Sequence, residues 1–290
     1  MKKICAIDVG GSSIKYGIVD EEGNVSAKGS FKTPDHLEAF YDGIVKVFNG
    51  YKDVEGMAMS LPGAVDSESG IIYGASALPY IHGPNIKEDL EARLHTQVEM
   101  ENDANCAALA EVWKGAAKDT QDSCFVVCGT GIGGAVVKNR AIHKGIHLHG
   151  GEFGYMIMDY NADEDHYITW SKCGSTIVTV NNVAKELGRE VSGHEIFDHE
   201  DANPVYKKHV NRFYTTLATG IYNIQYAYDP EVIIIGGGIS SRDDIVERVN
   251  ERLEVILEDV QDAKIKPVVM KCVFANDANL IGAAYHFFNR

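Results

Sequence analysis

The sequence predicts an α/β protein of two lobes, on three observations. Runs rich in β-branched residues alternate with runs of helical spacing. CAIDVGGSSIKYGIVD (5–20) and SCFVVCGTGIGGAVVK (123–138) each read as a β-hairpin around a glycine turn. More than a hundred residues separate these similar hairpins, which points to a duplicated architecture. The lobes are expected to join near AAKDTQD (116–122), a small and polar stretch. That assigns residues 1–118 with 276–290 to an N-terminal lobe and 119–275 to a C-terminal lobe.

The elements follow in order. LEAFYDGIVKVFNGY (37–51) has helical spacing, and GMAMSLPG (56–63) reads as a strand running into a Pro-Gly turn. NIKEDLEARLH (85–95) is helical. VEMENDANCAALAEVWKG (98–115) reads as a short strand that becomes a helix after Asn102 and Asp103. Residues 203–230 predict a long helix closed by Asp229-Pro230. EVIIIGGGIS (231–240) is a third strand ending in glycines. Ser240 and Ser241, followed by acids, predict the start of a helix there. NDANLIGAAYHFF (276–288) is the last helix, with Asn276 or Asp277 near its cap.

With 290 residues, 45% of them hydrophobic, the chain can bury a large core. Its formal net charge of -15 disfavours nucleic acid and anionic membranes as partners, because phosphate polyanions need a basic surface. A small anionic ligand needs only local donors. Cys5, Cys124, Cys128 and Cys272 lie in or beside apolar runs and no CxxC pair occurs, so free thiols in a reducing compartment are expected. The first apolar run is too short for a signal peptide, and no run approaches the length of a membrane span. A cytoplasmic protein is expected.

Glycine turns admit phosphate chains, since a Cβ would keep the backbone N–H groups at a distance. Gly10, Gly11 and Ser12 fit that need, as do Gly129, Thr130, Gly131, Gly133 and Gly134. Two lobes could grip one triphosphate from opposite sides. Tight hairpins also use glycine for their own geometry. Neither turn is a Walker A loop. Gly236, Gly237 and Gly238 form a third candidate, suited to a nucleoside or its α-phosphate, or else a strand–helix packing turn.

Asp8 stands beside the first glycine turn, where a carboxylate repels phosphate unless a cation intervenes. It therefore reads as a Mg²⁺ ligand, direct or through water. Lys15 either neutralises phosphate charge or is an exposed strand lysine. Asp103, at a strand end and helix start, reads locally as a helix cap, with a general base as the alternative. Glu152, between glycines in HLHGGEFGY (147–155), is placed to accept hydrogen bonds from substrate hydroxyls. SLPGAVD (60–66), with Gly63, offers another substrate-facing turn. His147 and His149 alternate, but no Cys or acid follows at a ligand spacing.

Taken together, DVGGSSIK, SLPGAVD, MENDANCAA, GTGIGG, GGEFGY, IIIGGGIS and NDANLIGAA resemble the ROK family of sugar kinases and related repressors. They span nearly the whole chain in the family's order. The resemblance implies the two-lobed actin-like (ribonuclease-H-like) ATPase fold, with ATP and Mg²⁺ as cofactors. It implies that Asp8, Gly10, Gly11, Ser12 and Lys15 form a first phosphate motif, Gly129 to Gly134 a second, and that Gly236 to Gly238 border the adenosine. Asp103 becomes the catalytic base, with Asn102 and Glu152 holding sugar hydroxyls. A homodimer is a common family assembly. The family's regulators carry a helix-turn-helix ahead of the sugar lobe, and Asp8 so near the N-terminus leaves no room for one.

The chain also departs from the family pattern. Where many members carry E-x-G-H with a zinc-binding His, this sequence has Glu152, Phe153, Gly154 and Tyr155. Of the usual cysteine cluster only Cys173 and Gly174 survive in SKCGSTIVTV, and Val180 stands where the closing Glu would be. No zinc is expected. Loss of His, Zn and Glu from one side leaves room at the anomeric carbon, with Tyr155 or Tyr80 as an apolar face. The expected activity is phosphorylation of the 6-hydroxyl of a hexose or of a β-glucoside such as cellobiose. Glucose and N-acetylmannosamine, and a catalytically silent sugar sensor, stand as alternatives.

Overall fold

The run KICAIDV forms β1 (Lys3–Val9), in which Ile4, Cys5, Ala6 and Ile7 are all fully buried. A strand buried on both faces needs cover on both, and this one has it. The coordinates are a computed structural model and describe residues 1–274 and 276–290. The chain divides into two units. The first comprises Met1–Asp119, Lys144–His149 and Val273–Arg290, and the second Thr120–His143 and Gly150–Cys272. Residues 144–149 therefore join the first unit, although the sequence placed them in the C-terminal lobe. Within this stretch, Lys144 Nζ lies 2.7 Å from the buried Glu101 carboxylate.

In the first unit, β1 is followed by β2 (Ser13–Asp20), β3 (Val25–Lys32), α1 (Leu37–Asn49) and β4 (Gly56–Leu61). A small hairpin, β5 (Ala64–Asp66) and β6 (Ile71–Tyr73), precedes α2 (Ile86–Leu94), β7 (Gln97–Asn102) and α3 (Asp103–Lys114). Among the described residues its sheet has five strands in the order β3-β2-β1-β4-β7. The hairpins pair antiparallel, whereas β1–β4 and β4–β7 run parallel. The alternation of β1 sorts the layers. Cys5 and Ile7 face Phe40, Tyr41 and Ile44 of α1 and Leu90 of α2. Ile4 and Ala6 face Cys106 of α3 and the last helix, through Leu280 and Ala284. Each such large apolar side chain contributes about 1.5–3 kcal/mol on burial.

The second unit opens with β8 (Ser123–Cys128), β9 (Ile132–Lys138) and β10 (Ala141–Ile142). A hairpin of β11 (Ile157–Asn161) and β12 (His166–Thr169) leads to α4 (Trp170–Gly174), α5 (Thr176–Leu187) and α6 (Gly193–Asp198). Then come α7 (Pro204–Tyr228), β13 (Val232–Gly236), α8 (Ile245–Asp259) and β14 (Val269–Lys271), and the chain returns to the first unit for α9 (Ala278–Phe288). The second sheet has, among the described residues, the order β10-β9-β8-β13-β14. Its antiparallel hairpins and parallel additions repeat those of the first. This is the fold repeat that the two glycine hairpins pointed to.

Ser240 and Ser241 do not start α8, contrary to expectation. They lie in a 3-10 turn, Gly238–Ser241, and their hydroxyls donate back to the Gly237 and Gly238 carbonyls. Each hydroxyl is thereby engaged three residues back, and the helix begins only at Ile245. Gly133 and Gly134 likewise lie within β9, paired with Val127 and Val126, so the turn proper is Gly129–Gly131.

Glu111 of α3 is 1% exposed and takes backbone N–H groups from the chain just after α3 and from the chain just after β14. Its carboxylate accepts from Ala116 at 2.7 Å and from Val273 and Phe274 at 2.8 Å each. Burial pushes its carboxyl up despite these bonds. Burial also pushes the Cys5, Cys124 and Cys128 thiols up to about 12. No described helix is long and apolar enough to cross a membrane.

Candidate active site

In the first unit, β1 delivers Asp8 to the end of the sheet. Its Oδ1 accepts from Asn279 Nδ2 of α9 at 2.8 Å and from the buried Ser60 hydroxyl of β4 at 3.2 Å. These two donors fix the carboxylate, and no donor among the described residues reaches Oδ2. Lys15 stands directly opposite Asp8 in the β1–β2 register and is exposed, so both side chains project from one face. Between them, the Gly10–Ser12 turn is locked. Gly10 N donates to Ser13 O at 3.1 Å, and Thr33 Oγ1 donates to Gly10 O at 2.7 Å. A Cβ at Gly10 would lie 2.9 Å from Ser13 O.

Asn102 and Asp103 sit where β7 becomes α3. The cap is Asn102, whose Oδ1 accepts from Ala104 N at 2.9 Å and Asn105 N at 3.2 Å. Its Nδ2 donates to the Gly63 carbonyl at 3.0 Å. Asp103 is thus the first helical residue and not the cap that a local reading of the sequence makes it. Its half-buried carboxylate accepts from Ala104 N at 2.8 Å, at the positive end of the helix. Gly63 has φ +104°, a conformation that favours glycine, and a Cβ there would meet His82 and Ile72 at 2.9 Å. Tyr80 is not a bare apolar face, since its hydroxyl donates to Pro34 O at 2.7 Å and its ring packs edge-on against Phe40.

In the second unit, the Gly129–Gly131 turn is held by Thr176 and Ser171. Thr176 Oγ1 donates to Gly129 O at 2.7 Å, and Ser171 Oγ accepts from Ile132 N at 2.9 Å. A Cβ at Gly129, Gly133 or Gly238 would meet nothing within 4 Å, so packing within the protein does not demand glycine there. Gly134 and Gly237 differ. A Cβ at Gly134 would lie 2.4 Å from Phe125 O, and one at Gly237 2.3 Å from Cys128 O. Those two are packing glycines, and Gly236 ends β13 beside Val127. Thr176, at the first turn of α5, also lines a 240 Å³ cavity with Phe197, Gly238, Ile239 and Arg242. Arg242 is held by Asp244 at 2.9 Å and by Asp198.

Glu152 is exposed between the buried Gly151 and Gly154, in a turn where Phe153 N donates to Gly151 O at 2.7 Å. A Cβ at Gly151 would meet Ala135 Cα at 2.7 Å, so the backbone that presents Glu152 is tightly seated. Tyr155 is 72% exposed. His149 Nδ1 lies 2.6 Å from His147 O, and no described cluster of three His, Cys, Asp or Glu has a metal-binding arrangement. Cys173 turns its thiol toward Trp170 O, and burial pushes its pKa up, away from the thiolate a metal would need. Val180 packs on the second unit's core.

Sequence reasoning missed Ser60, Asn279, Ser171 and Thr176, which hold the candidate groups in place. Nothing in their local spacing marks them. Only the fold brings Asn279 to Asp8, 271 positions away.

The family model of the ROK family matches residues 4–289. A β-glucoside kinase of Listeria innocua is 36% identical over 294 residues, covering 98% of this chain and 97% of the relative. A β-glucoside kinase of Klebsiella pneumoniae is 33% identical, covering 98% and 96%. A ROK family protein from Streptococcus pneumoniae, solved in complex with sucrose, superposes with a TM-score of 0.93 at 37% identity, covering 99% of this chain and 98% of that one.

Proposed function

The chain belongs to the ROK family, and we propose that it is an ATP-dependent kinase for the 6-hydroxyl of a β-glucoside such as cellobiose. The observation that carries this reading is the division of labour at α3. Asn102 takes the cap, which leaves Asp103 at the helix start as a carboxylate suited to accept the proton of an attacking hydroxyl. Similarity to β-glucoside kinases across almost the entire chain supports the substrate class. So does Tyr155, an exposed aromatic in place of a zinc-binding His. A homodimer and a cytoplasmic setting are part of the same reading.

Asp103 accepts the proton from the sugar hydroxyl as that oxygen attacks the γ-phosphorus of ATP in line and ADP leaves. Asn102 orders the sugar's seat by holding the Gly63 carbonyl, and Glu152 accepts from sugar hydroxyls. Gly10, Gly11 and Ser12 offer backbone N–H groups to phosphate, as do Gly129, Thr130 and Gly131, and Lys15 adds charge. The cavity beside Gly238 takes the nucleoside. Asp8 fits Mg²⁺: its carboxylate is pre-oriented through one oxygen by Asn279 and Ser60, and carboxylate oxygen is the donor that magnesium prefers. When bound, Mg²⁺ offsets phosphate charge.

ADP release measured over cellobiose, glucose, N-acetylmannosamine, fructose and allose tests the proposal. Turnover on cellobiose well above glucose is expected. Equal turnover on glucose and none on any disaccharide would overturn the β-glucoside assignment. Sugar binding without any turnover would overturn the kinase.

A further inference from the structure

The strand that delivers Asp103 carries a buried carboxylate directly behind the helix start, paired with a partly exposed lysine. Glu101 is 1% exposed, and the two residues after it are Asn102 and Asp103. Its Oε1 accepts from the backbone N–H of Asn102 at 2.8 Å and from Asn105 Nδ2 at 3.0 Å. Its Oε2 accepts from Lys144 Nζ at 2.7 Å and from Ser67 Oγ at 3.3 Å. The carboxylate therefore grips the first turn of α3 at two points with one oxygen and is anchored by the other.

Lys144 is equally committed. Beyond Glu101, its ammonium donates to Val65 O at 3.2 Å and to the Ser67 hydroxyl. Three donors have three acceptors. The lysine comes from the short excursion 144–149, which packs with the first unit although the chain on both sides of it belongs to the second. Burying the Glu101 carboxylate is costly and its pairing is weak evidence for stability, so its geometric effect is the better explanation.

We propose that Lys144 and Glu101 are positioning residues for phosphoryl transfer: the pair fixes the Asn102–Asn105 turn and so the direction of the Asp103 carboxylate. The inference rests on the reading of Asp103 as the base. Other charged groups on this face are His286, whose Nδ1 is 3.9 Å from Glu101, and Arg290, which pairs with Glu99. Neither replaces Lys144. Burial holds His286 toward its neutral form, and Arg290 is spent on Glu99 and Glu68.

A base displaced by about 1 Å can lose on the order of a hundredfold in rate while ground-state binding is retained. Lys144→Met should therefore lower kcat at least tenfold with the cellobiose Kd, read by calorimetry, changed less than threefold. It also leaves the Glu101 charge unpaired near Asp103, which should move the acid limb of the kcat–pH profile upward. The double variant Lys144→Met with Glu101→Gln should return that limb to its original place, with kcat still depressed.

Should Lys144→Met fail to fold, the double variant, which buries no lone charge, is read alone. A double variant within twofold of the parent kcat would overturn the inference. So would equal losses of binding and turnover in Lys144→Met, because those are the mark of general damage. Asp103→Asn, run alongside, separates the two readings. If it is inactive while Lys144→Met turns over normally, the positioning pair is wrong and the base stands. If Asp103→Asn is active, the base fails and the pair with it.

Discussion

Asn102 Nδ2 donates to the Gly63 carbonyl at 3.0 Å, while Oδ1 of the same side chain caps α3. One amide thus ties the substrate-facing turn of SLPGAVD to the helix that starts with Asp103. Asn102→Ala removes the cap and the Gly63 bond and should cost about 2 kcal/mol, roughly half from each. Asn102→Asp keeps the cap oxygen but not the donor. It should recover no more than about half of the lost stability, the share of the cap, and not the sugar KM. Thermal melts and steady-state kinetics on the two variants check this.

The glycines of the second turn should separate by substitution. Gly134→Ala forces a methyl to 2.4 Å from Phe125 O and should destabilise by about 1–3 kcal/mol. Gly129→Ala meets no protein atom and should melt like the parent, yet raise the KM for ATP severalfold by standing where phosphate approaches. Equal melting losses in the two variants, with the ATP KM unchanged in Gly129→Ala, would refute the phosphate role of that turn.

Asp8→Asn keeps an acceptor for Asn279 and Ser60 but removes the charge. Turnover should fall at least tenfold at low Mg²⁺ and recover in part as Mg²⁺ is raised. A magnesium titration of both proteins reads this directly. An unchanged magnesium dependence would remove Asp8 from the metal.

His286 makes stability depend on pH. Burial lowers its pKa below the ordinary 6.5, so the unfolded chain takes up the proton first. Its contribution is therefore complete above pH 6.5 and is lost as pH falls from there toward the folded value. Melting temperatures from pH 7.5 to 5.5 should fall less steeply in His286→Gln than in the parent. Parallel slopes would show that His286 does not titrate in that window.

The sequence was legible where period and turn chemistry are local. The hairpin 5–20 and the strand-to-helix switch at Asn102 could be read because β-branched runs, glycines and cap residues signal within a few positions. The helix after β13 was misplaced because Ser240 and Ser241 look like caps, yet bond backward to Gly237 and Gly238 in a 3-10 turn. The glycines of GTGIGG look alike in sequence, and only the neighbours of their missing Cβ atoms separate Gly129 from Gly134. Glu101 and Lys144 were passed over for the same reason. Their significance lies in a contact between residues 43 positions apart, which no local pattern encodes.

The most direct measurement is ADP release by Asp103→Asn and the parent protein, with cellobiose binding followed in both by calorimetry. Asp103→Asn keeps the shape of the helix start and loses only the base. With Asp103 as the base, turnover should fall by two to four orders of magnitude, the usual span for general-base loss, with cellobiose still bound. Turnover by Asp103→Asn near that of the parent would contradict it.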